Sequence, residues 1–358
     1  MIEMQYNFPL LPELPVAWRD RLRWAVDQLG AEDFAALRPT FRSAHPELVR
    51  VAAHWLKVPE ERLFLTDGAH HGCLIAMMAA GLAGRPIAMD AAAYTGALEQ
   101  ARSLRSPIVG CAVDAEGMTA ESLRAVCVQG QQNGEPLAAI FCTVTVHNPL
   151  GCTASLERRE AIVAIAREFD LLIVEDDTYG FMEPEAPKRL YDLAPERTFY
   201  VGSLSKSYVP ASRTGFLVAP ERFDVGVSAA IKNTATGSSL PHHAASCSLI
   251  ADGSVDRVIA AKNAEGARRN AAARAVLGDR CWPGAKSAWH LWVALPEAVT
   301  AQAFEARMRE RGVCLSGGNW FTTCEGAPHG FRIALGGEVD AALTQRGVEL
   351  VAEELGQL

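Results

Sequence analysis

A lysine flanked by serines is the first feature of this sequence that could do covalent chemistry. Lys206 follows Ser203 and Ser205, comes after the β-branched and aromatic residues 198–201, and precedes Arg213 by seven positions. An amine in a desolvated or cationic setting has a lowered pKa and can form a Schiff base with an aldehyde. The serine hydroxyls and the Arg213 guanidinium could hold a phosphate. Taken alone, the motif fits an ordinary surface lysine in a solvated loop equally well.

An acidic strand end is the second such feature. The apolar residues 172–174 run into Glu175, Asp176 and Asp177, and Tyr179 follows. A carboxylate at the end of a buried strand is costly unless it meets a fixed positive charge, which a pyridinium N–H would supply. Asp176 would keep that ring nitrogen protonated and strengthen the ring as an electron acceptor, and Tyr179 could reach a phenolic oxygen on the ring. The alternative is a helix N-cap, which suits Asp177 better than Asp176.

A glycine turn follows the first predicted strand. Gly68 and Ala69 precede a helix of small and apolar residues. Glycine lets the backbone approach a ligand closely, and a helix N-terminus offers unpaired N–H groups to a phosphate, although any tight strand-to-helix turn looks similar. His70 suits a polar or stacking role beside such a ligand. Adjacent histidines diverge on a helix and no third ligand is evident, so no metal site is predicted at His70 and His71.

Three further residues fit a flat, anionic ligand. Tyr94 begins the next helix and could stack on a heteroaromatic ring, with an aromatic plug under a turn as the alternative. Asn148 forms a rigid turn with Pro149 and presents an amide, as plain turns also do. Arg332 lies inside an apolar strand, where a buried guanidinium would bind a planar α-carboxylate through two hydrogen bonds or form an internal salt bridge.

Strands and helices must alternate to position these residues. The predicted strands are 63–66, 86–89, 108–111, 138–143, 171–175, 198–201 and 215–219, and the predicted helices are 69–82, 94–104, 119–126 and 155–169. Ser155 would cap the last of these helices, with Arg158 and Arg159 on its exposed side. The alternation predicts an α/β fold, with a mostly parallel seven-stranded sheet between helices and ligands at the carboxyl ends of its strands.

The C-terminal part has a different pattern. A long helix rich in Ala and Arg begins near residue 256, and strands at 290–295 and 331–335 and helices at 301–311 and 339–354 follow. We therefore expect an N-terminal arm that belongs to the small domain, a large cofactor-binding domain and a small α+β domain, at 1–45, 46–255 and 256–358.

Composition excludes several classes of protein. The 358 residues, 49% of them hydrophobic, can bury a sizeable core, and the net charge of -8 argues against a nucleic-acid partner. The nine cysteines lack C-x-x-C spacing, which favours reduced thiols in a cytoplasmic protein over a disulfide framework or a zinc site. The N-terminus lacks the pattern of a secretory signal, and no apolar run reaches about eighteen residues, so no membrane partner is expected.

Together the motifs resemble the class I/II aminotransferases, which are fold type I enzymes of pyridoxal 5'-phosphate. The residues that carry this likeness are, in order, Gly68-Ala69-His70, Tyr94, Asn148-Pro149-x-Gly151, Asp176-x-x-Tyr179, Ser203-x-Ser205-Lys206, Arg213 and Arg332. The runs YTGALEQARSL, LERREAIVAIA, IVEDDTYGF and RTGFLVAP are most similar to the branch of the 2-aminoadipate-type aminotransferases and the catalytic halves of MocR-like regulators. The likeness extends from about Pro46 to the C-terminus.

The resemblance implies a role for each residue. Lys206 would hold the cofactor as a Schiff base and then carry a proton between the substrate and the cofactor. Asp176 would pair with the pyridine nitrogen, Asn148 and Tyr179 with the ring oxygen, and Tyr94 would stack on the ring. The phosphate would be bound by Gly68, Ala69, Ser203, Ser205 and Arg213, with His70 nearby, and the substrate by Arg332 and Asn148. Family members are generally homodimers with active sites at the interface, so a homodimer is expected.

The predicted function is transfer of an amino group from an L-amino acid to a 2-oxo acid. The same residues would serve a lyase, a cyclase or an oxidase acting on an amino acid. A non-enzymatic ligand-sensing module of the MocR kind is a third possibility. Such modules carry a winged-helix domain ahead of the fold, whereas only about 45 residues precede the similar region here, and the acidic balance disfavours DNA.

Two departures from the family pattern bear on the substrate. NPLG at 148–151 stands where relatives have NPTG, a change that should leave Asn148 in place. The segment 39–45 lacks the tyrosine and glycine that relatives carry there, where the segment helps to form the substrate mouth. No second basic residue can be assigned to a distal carboxylate, so a neutral or aromatic amino donor is expected. Four aromatic residues could line its pocket or simply pack against the large domain: Tyr6, Phe8, Trp18 and Trp24.

Overall fold

The computed structural model describes residues 1–35, 46–235 and 239–358, so the expectation for 39–45 falls outside the described residues. The described strands are β1 (Ile2–Glu3), β2 (Leu63–Thr66), β3 (Ile87–Asp90), β4 (Ile108–Cys111), β5 (Val113–Asp114), β6 (Gly117–Met118), β7 (Ala139–Cys142), β8 (Leu172–Asp176), β9 (Thr198–Ser203), β10 (Gly215–Val218), β11 (His290–Ala294), β12 (Val313–Cys314), β13 (Ser316–Gly317) and β14 (Gly330–Ala334). The described α-helices are α1 (Leu14–Gln28), α2 (Ala31–Ala35), α3 (Pro46–Leu56), α4 (Ala69–Ala79), α5 (Thr95–Ser103), α6 (Ala120–Gln132), α7 (Leu156–Glu168), α8 (Leu190–Leu193), α9 (Leu204–Ser207), α10 (Asp224–Thr234), α11 (Leu240–Ala251), α12 (Ser254–Leu277), α13 (Ala301–Glu310) and α14 (Ala341–Leu355).

Seven strands form the central sheet, in the order β2-β10-β9-β8-β7-β3-β4. Strand β10 is antiparallel to both of its neighbours, and every other adjacent pair is parallel. The prediction of a mostly parallel, seven-stranded α/β sheet is therefore confirmed. Strands β2 and β4 have the predicted bounds, whereas helix α6 continues beyond its predicted end at Val126.

Apolar side chains alternate between cores on the two faces of this sheet. Val174 of β8 belongs to a core completed by α4, α5 and α10, and its neighbour Ile173 belongs to a core completed by α6 and α7. Helices α1, α3 and α11 cover β2, β9 and β10 in a further core. Because both faces are covered, the strands are apolar throughout, and polar groups collect at the strand ends.

Helix α7 corrects one prediction. Its N-cap is Ser155, as expected, and the serine hydroxyl accepts a hydrogen bond from the backbone N–H of Arg158. Arg159, however, is fully buried rather than exposed. Its guanidinium donates to Thr145 Oγ1 and to the backbone carbonyls of residues 144, 154, 187 and 188. Loop carbonyls converge beside the helix N-terminus, and the inward arginine satisfies them.

A smaller sheet lies in the C-terminal part. Strands β11, β14 and β13 are antiparallel in that order and pack with α12, α13 and α14 around a separate core. The chain start joins this unit, because β1 pairs with β12 and Met4 is fully buried in its core. Helix α1 instead packs beside the large sheet. The division into 1–45, 46–255 and 256–358 stays our proposal.

The described residues provide neither a membrane-spanning helix nor a metal-binding cluster. None of their helices combines the length and the apolar character needed to cross a membrane. Their His, Cys, Asp and Glu side chains form no group of three that could hold a metal ion. The cysteines are free thiols, and most of them are buried.

Candidate active site

A cavity of about 580 Å³ opens at the carboxyl edge of the large sheet. Strand register explains its position, because Gly215 of β10 lies opposite Thr66 of β2 on one side and Ser203 of β9 on the other. The loops that leave β2, β8 and β9 therefore meet at one edge. Every residue predicted for the site lines this cavity: Gly68, Ala69, His70, Tyr94, Asn148, Asp176, Tyr179, Ser203, Ser205, Lys206, Arg213 and Arg332.

Lys206 projects into the cavity from the short helix α9. Ser203 caps this helix, and its hydroxyl accepts from the backbone N–H of Ser205 at 3.0 Å. Burial and, to a smaller extent, the charge of Arg332 lower the pKa of Lys206 to about 7, against the opposing effect of the Asp176 carboxylate. A neutral amine is therefore available near neutral pH.

Asp176 ends β8 as a buried carboxylate. Its Oδ1 accepts from the backbone N–H of Thr178 at 3.1 Å and from the Thr178 hydroxyl at 2.5 Å. Burial raises the pKa of Asp176, and hydrogen bonds from Thr178 and the charges of His70 and Lys206 oppose that rise. Asp177, expected as the better N-cap, instead accepts from the hydroxyl of Tyr200 at 2.9 Å. The capping alternative thus does not describe Asp177.

Gly68, Ser205 and Arg213 converge on one point. A Cβ on Gly68 would lie 3.7 Å from Ser205 Oγ and 3.8 Å from Arg213 Cζ, and the φ of +89° at Gly68 favours glycine. Ser205 Oγ is buried and has no hydrogen-bond partner among the described residues. The N-terminus of α4 begins at the next residue, Ala69. A hydroxyl, a guanidinium and helix N–H groups together can hold a phosphate.

Arg332 lies in β14 and is 8% exposed. Its Nη1 donates to Asn148 Oδ1 at 2.7 Å and its Nη2 to the backbone carbonyl of Gln5 at 2.6 Å. Its Nε has no partner, and no carboxylate among the described residues forms a salt bridge with it. The alternative of an internal salt bridge at Arg332 is therefore wrong for the described residues. A buried guanidinium without a counter-ion can bind a carboxylate ligand.

Two tyrosines and a histidine complete the predicted set. The rings of Tyr94 and His70 meet edge to face, with centroids 6.4 Å apart. Burial raises the pKa of Tyr94, and it raises the pKa of Tyr179 to about 12. Both phenols therefore stay protonated at neutral pH and can donate hydrogen bonds.

The N-terminal segment also lines the cavity. Tyr6 and Phe8 lie there, as does Trp320, which no sequence signal singles out. Trp18 instead packs edge-on against Tyr208, and Trp24 is exposed. The backbone carbonyls of Asn7 and Gln5, which accept from Lys206 and Arg332, could not have been found from sequence, because every residue carries one.

Comparisons with known proteins cover the whole fold. The profile described as aminotransferase class I and II matches residues 1–351, so the likeness begins at residue 1 and not near Pro46 as the motifs alone indicate. An uncharacterised aminotransferase of Saccharolobus solfataricus is 28% identical over 169 residues, 46% of this chain and 42% of that protein. The HTH-type transcriptional regulator YjiR of Escherichia coli is 29% identical over 171 residues, 46% of this chain and 35% of that protein. This chain thus spans less than half of the length of these relatives.

Solved structures agree on the fold. A kynurenine aminotransferase of Pyrococcus horikoshii, solved in complex with PMP, has a TM-score of 0.89 at 20% identity and covers 100% of this chain and 91% of its own. At such low identity the likeness concerns the fold alone. The likeness extends over this chain's central sheet, its helices and the smaller sheet, because the superposition covers the whole chain.

Proposed function

The chain belongs to the aminotransferase class I and II family, and from this premise we propose that it transfers an amino group from an L-amino acid to a 2-oxo acid with pyridoxal 5'-phosphate. When bound, the cofactor supplies an aldehyde that condenses with an amine with loss of water, and a pyridine ring that accepts the electron pair left when a bond at Cα breaks. The observation that carries this proposal is the Lys206 amine, whose pKa is near 7, in one cavity with Asp176, Arg213 and Arg332.

The unpaired polar groups of the cavity fit this cofactor. Buried Ser205 Oγ lacks a hydrogen-bond partner in the described part of the chain and lies beside Arg213 around Gly68, which suits a phosphate. The buried carboxylate of Asp176 suits a ring N–H, because a cation there would offset the burial that raises its pKa. Asn148 uses its Oδ1 on Arg332, which leaves its amide N–H groups to donate to a ring oxygen.

Lys206 would act first as a nucleophile and then as a general base. Its neutral Nζ would be the nucleophile toward the cofactor aldehyde. As a free amine, it would be the base that takes the proton from the substrate Cα. Arg332 would fix the substrate carboxylate and so hold that Cα–H bond within reach of Nζ.

A single-turnover experiment tests the proposal. Protein loaded with pyridoxal phosphate is reduced with borohydride to locate the modified residue, and a second portion is mixed with a panel of amino acids. We expect the label on Lys206, and one equivalent each of pyridoxamine phosphate and 2-oxo acid. Other products without pyridoxamine phosphate would favour a lyase, cyclase or oxidase. Binding without any product across the panel would refute the enzyme and favour a sensing module.

The cavity also bears on the substrate class. Its basic side chains are assigned to cofactor and α-carboxylate, and the remaining charged side chain of the described lining is Glu99, which is exposed at the rim. Tyr6, Phe8 and Trp320 are partly exposed aromatic residues of the same lining. We therefore propose an amino donor with a neutral or aromatic side chain, because a distal carboxylate would meet Glu99 and no further cation of the described lining. Higher kcat/KM for phenylalanine or leucine than for glutamate and aspartate is the expected result.

A homodimer and a cytoplasmic location also belong to this proposal. The family resemblance supports the dimer, and the free, mostly buried thiols agree with a reducing compartment. Light scattering on the eluting protein should give twice the chain mass of 38.5 kDa. A mass of one chain would contradict the dimer.

A further inference from the structure

A buried lysine lies directly behind the active-site lysine. Lys262 of helix α12 is fully buried, and its Nζ donates to the backbone carbonyl of Lys206 at 2.8 Å and to that of Tyr208 at 2.6 Å. These carbonyls belong to the last turn of α9 and the residue after it. The function proposed above gives Lys262 no role.

Burying this amine without a carboxylate is costly. The described partners of Lys262 Nζ are the two carbonyls, and no salt bridge among the described residues includes it. An ammonium or amine taken out of water loses its hydration, and neutral acceptors restore only part of it. A methionine would fill the same space without this desolvation cost. We therefore look for the role of the Lys262 amine in its hydrogen bonds to the two carbonyls.

Those carbonyls are the ones that a helix end leaves unpaired. Helix α9 has only four residues, so most of its carbonyls have no intrahelical partner. The hydroxyl of Ser203 satisfies the N-terminal end, and Lys262 satisfies the opposite end. Without such partners, a helix this short has little stability of its own.

Helix α12 is a fixed support for this contact. The indole N–H of Trp289 donates to the backbone carbonyl of Lys262 at 3.0 Å, and the adjacent Asn263 donates to the carbonyl of Phe181 at 2.8 Å. Both Trp289 and the Lys262 side chain are fully buried. The position of Nζ is therefore set by several elements.

We propose that Lys262 is a positioning residue, which holds the backbone of Lys206 so that the Lys206 amine faces the aldehyde of the cofactor. This inference rests on the proposed function. Lys262 contacts the backbone carbonyl of Lys206, so losing Lys262 should weaken mainly the covalent bond between the Lys206 amine and the cofactor aldehyde. The phosphate and ring sites would depend on Lys262 less, because Gly68, Arg213 and Asp176 lie outside helix α9.

Two forms of the cofactor separate the covalent bond to Lys206 from the contacts with the phosphate and the ring. Pyridoxal phosphate can bond covalently to Lys206, whereas pyridoxamine phosphate has an amine in place of the aldehyde and cannot. We expect Lys262→Met to weaken equilibrium binding of pyridoxal phosphate about tenfold and that of pyridoxamine phosphate less than about twofold. Equal weakening of both forms would overturn the proposal, because a loosened site would affect them alike.

A double-mutant cycle measures independently how Lys262 and Lys206 are coupled in pyridoxal phosphate binding. In a Lys206→Ala background no covalent bond can form, so adding Lys262→Met should change pyridoxal phosphate affinity by less than about twofold. A tenfold change in that background would contradict the inference. Lys262→Arg keeps a donor and should retain most of the affinity, and exposed Lys286→Met is the matched control.

The outcomes distinguish this inference from the proposed function. If borohydride fixes no label on Lys206 of the native protein, the proposed function fails and the inference fails with it. If Lys206 is labelled but Lys262→Met treats both cofactor forms alike, only the inference fails. Should Lys262→Met not fold, Lys262→Gln provides the same comparison, with Lys262→Arg as the variant that keeps a donor.

Discussion

The backbone carbonyl of Asn7 accepts a hydrogen bond from Nζ of Lys206 at 2.6 Å. Two residues earlier, the carbonyl of Gln5 accepts from Arg332, and the ring centroid of Phe8 lies 3.6 Å from the same Nζ. Residues 5–8, here named the N-terminal strap, therefore contact both basic side chains, Lys206 and Arg332, that the proposed reaction uses. The pairing of β1 with β12 holds the start of the strap in place.

Binding of an amino acid should displace the strap. A carboxylate bound through two hydrogen bonds to Arg332 competes with the Gln5 carbonyl for Nη2, and Lys206 must leave the Asn7 carbonyl. We expect faster hydrogen exchange in a peptide covering residues 5–8 when the cofactor-loaded protein is saturated with an α-methyl amino acid. Unchanged exchange there, with binding established by calorimetry, would show that the substrate fits beneath the strap.

The charge neighbours of Lys206 should shift its titration in opposite directions. In cofactor-free protein, the pH dependence of Lys206 acylation, followed by mass spectrometry, should have its midpoint near pH 7. Arg332→Met removes a positive charge, so protonation becomes easier and the midpoint should rise. Asp176→Asn removes a negative charge, so the midpoint should fall. Shifts of the same sign in both variants would contradict the electrostatic account.

Two serines of the lysine segment should behave differently. Ser205 Oγ has no hydrogen-bond partner among the described residues, so Ser205→Ala should leave the stability of the cofactor-free protein unchanged and weaken pyridoxal phosphate binding about tenfold. Ser207 donates to the carbonyl of Ser203, so Ser207→Ala should cost about 1 kcal/mol of unfolding free energy. Denaturant titration and cofactor titration measure the two effects. A loss of unfolding free energy in Ser205→Ala would instead indicate that the hydroxyl stabilises the cofactor-free protein.

The rim carboxylate should discriminate against acidic donors. Glu99→Gln removes the repulsion of a distal carboxylate, so kcat/KM for glutamate relative to glutamine should rise about fivefold, which corresponds to about 1 kcal/mol. Glu99→Lys should raise this ratio further. Glu160→Gln, an exposed change on α7, is the control and should leave the ratio as it was. If the ratio of kcat/KM values is unchanged in Glu99→Lys, Glu99 does not contribute to substrate specificity.

Arg159 should matter for stability rather than for the reaction. Arg159→Leu leaves several buried oxygens of the surrounding loops without donors, so we expect a loss of about 3 to 5 kcal/mol of unfolding free energy. Arg167→Leu changes a half-exposed side chain and should cost less than about 1 kcal/mol. Urea denaturation of both variants provides the comparison. Similar losses would mean that burial of Arg159 adds nothing.

Prediction from sequence succeeded where burial dictates residue type. Strand β2 has the predicted bounds because it is fully buried, and a strand covered on both faces is a continuous apolar run. The edge strand β4 also has the predicted bounds, although three of its four residues are only half-buried. Prediction failed at Arg159, which follows Arg158 in a helix whose pattern places both arginines outside. The carbonyls that bind Arg159 come from distant loops, and local periodicity carries no record of them.

The sequence by itself determined the alternation of strands and helices and the identity of the reactive groups, because hydrophobic periodicity and side-chain chemistry are local properties. Only the tertiary structure decided which of those groups meet. Strand register brings the ends of β2, β8 and β9 to one edge, and the N-terminal strap and Lys262 reach Lys206 through backbone carbonyls. Backbone contacts are independent of residue type, so no reading of the sequence could have assigned them.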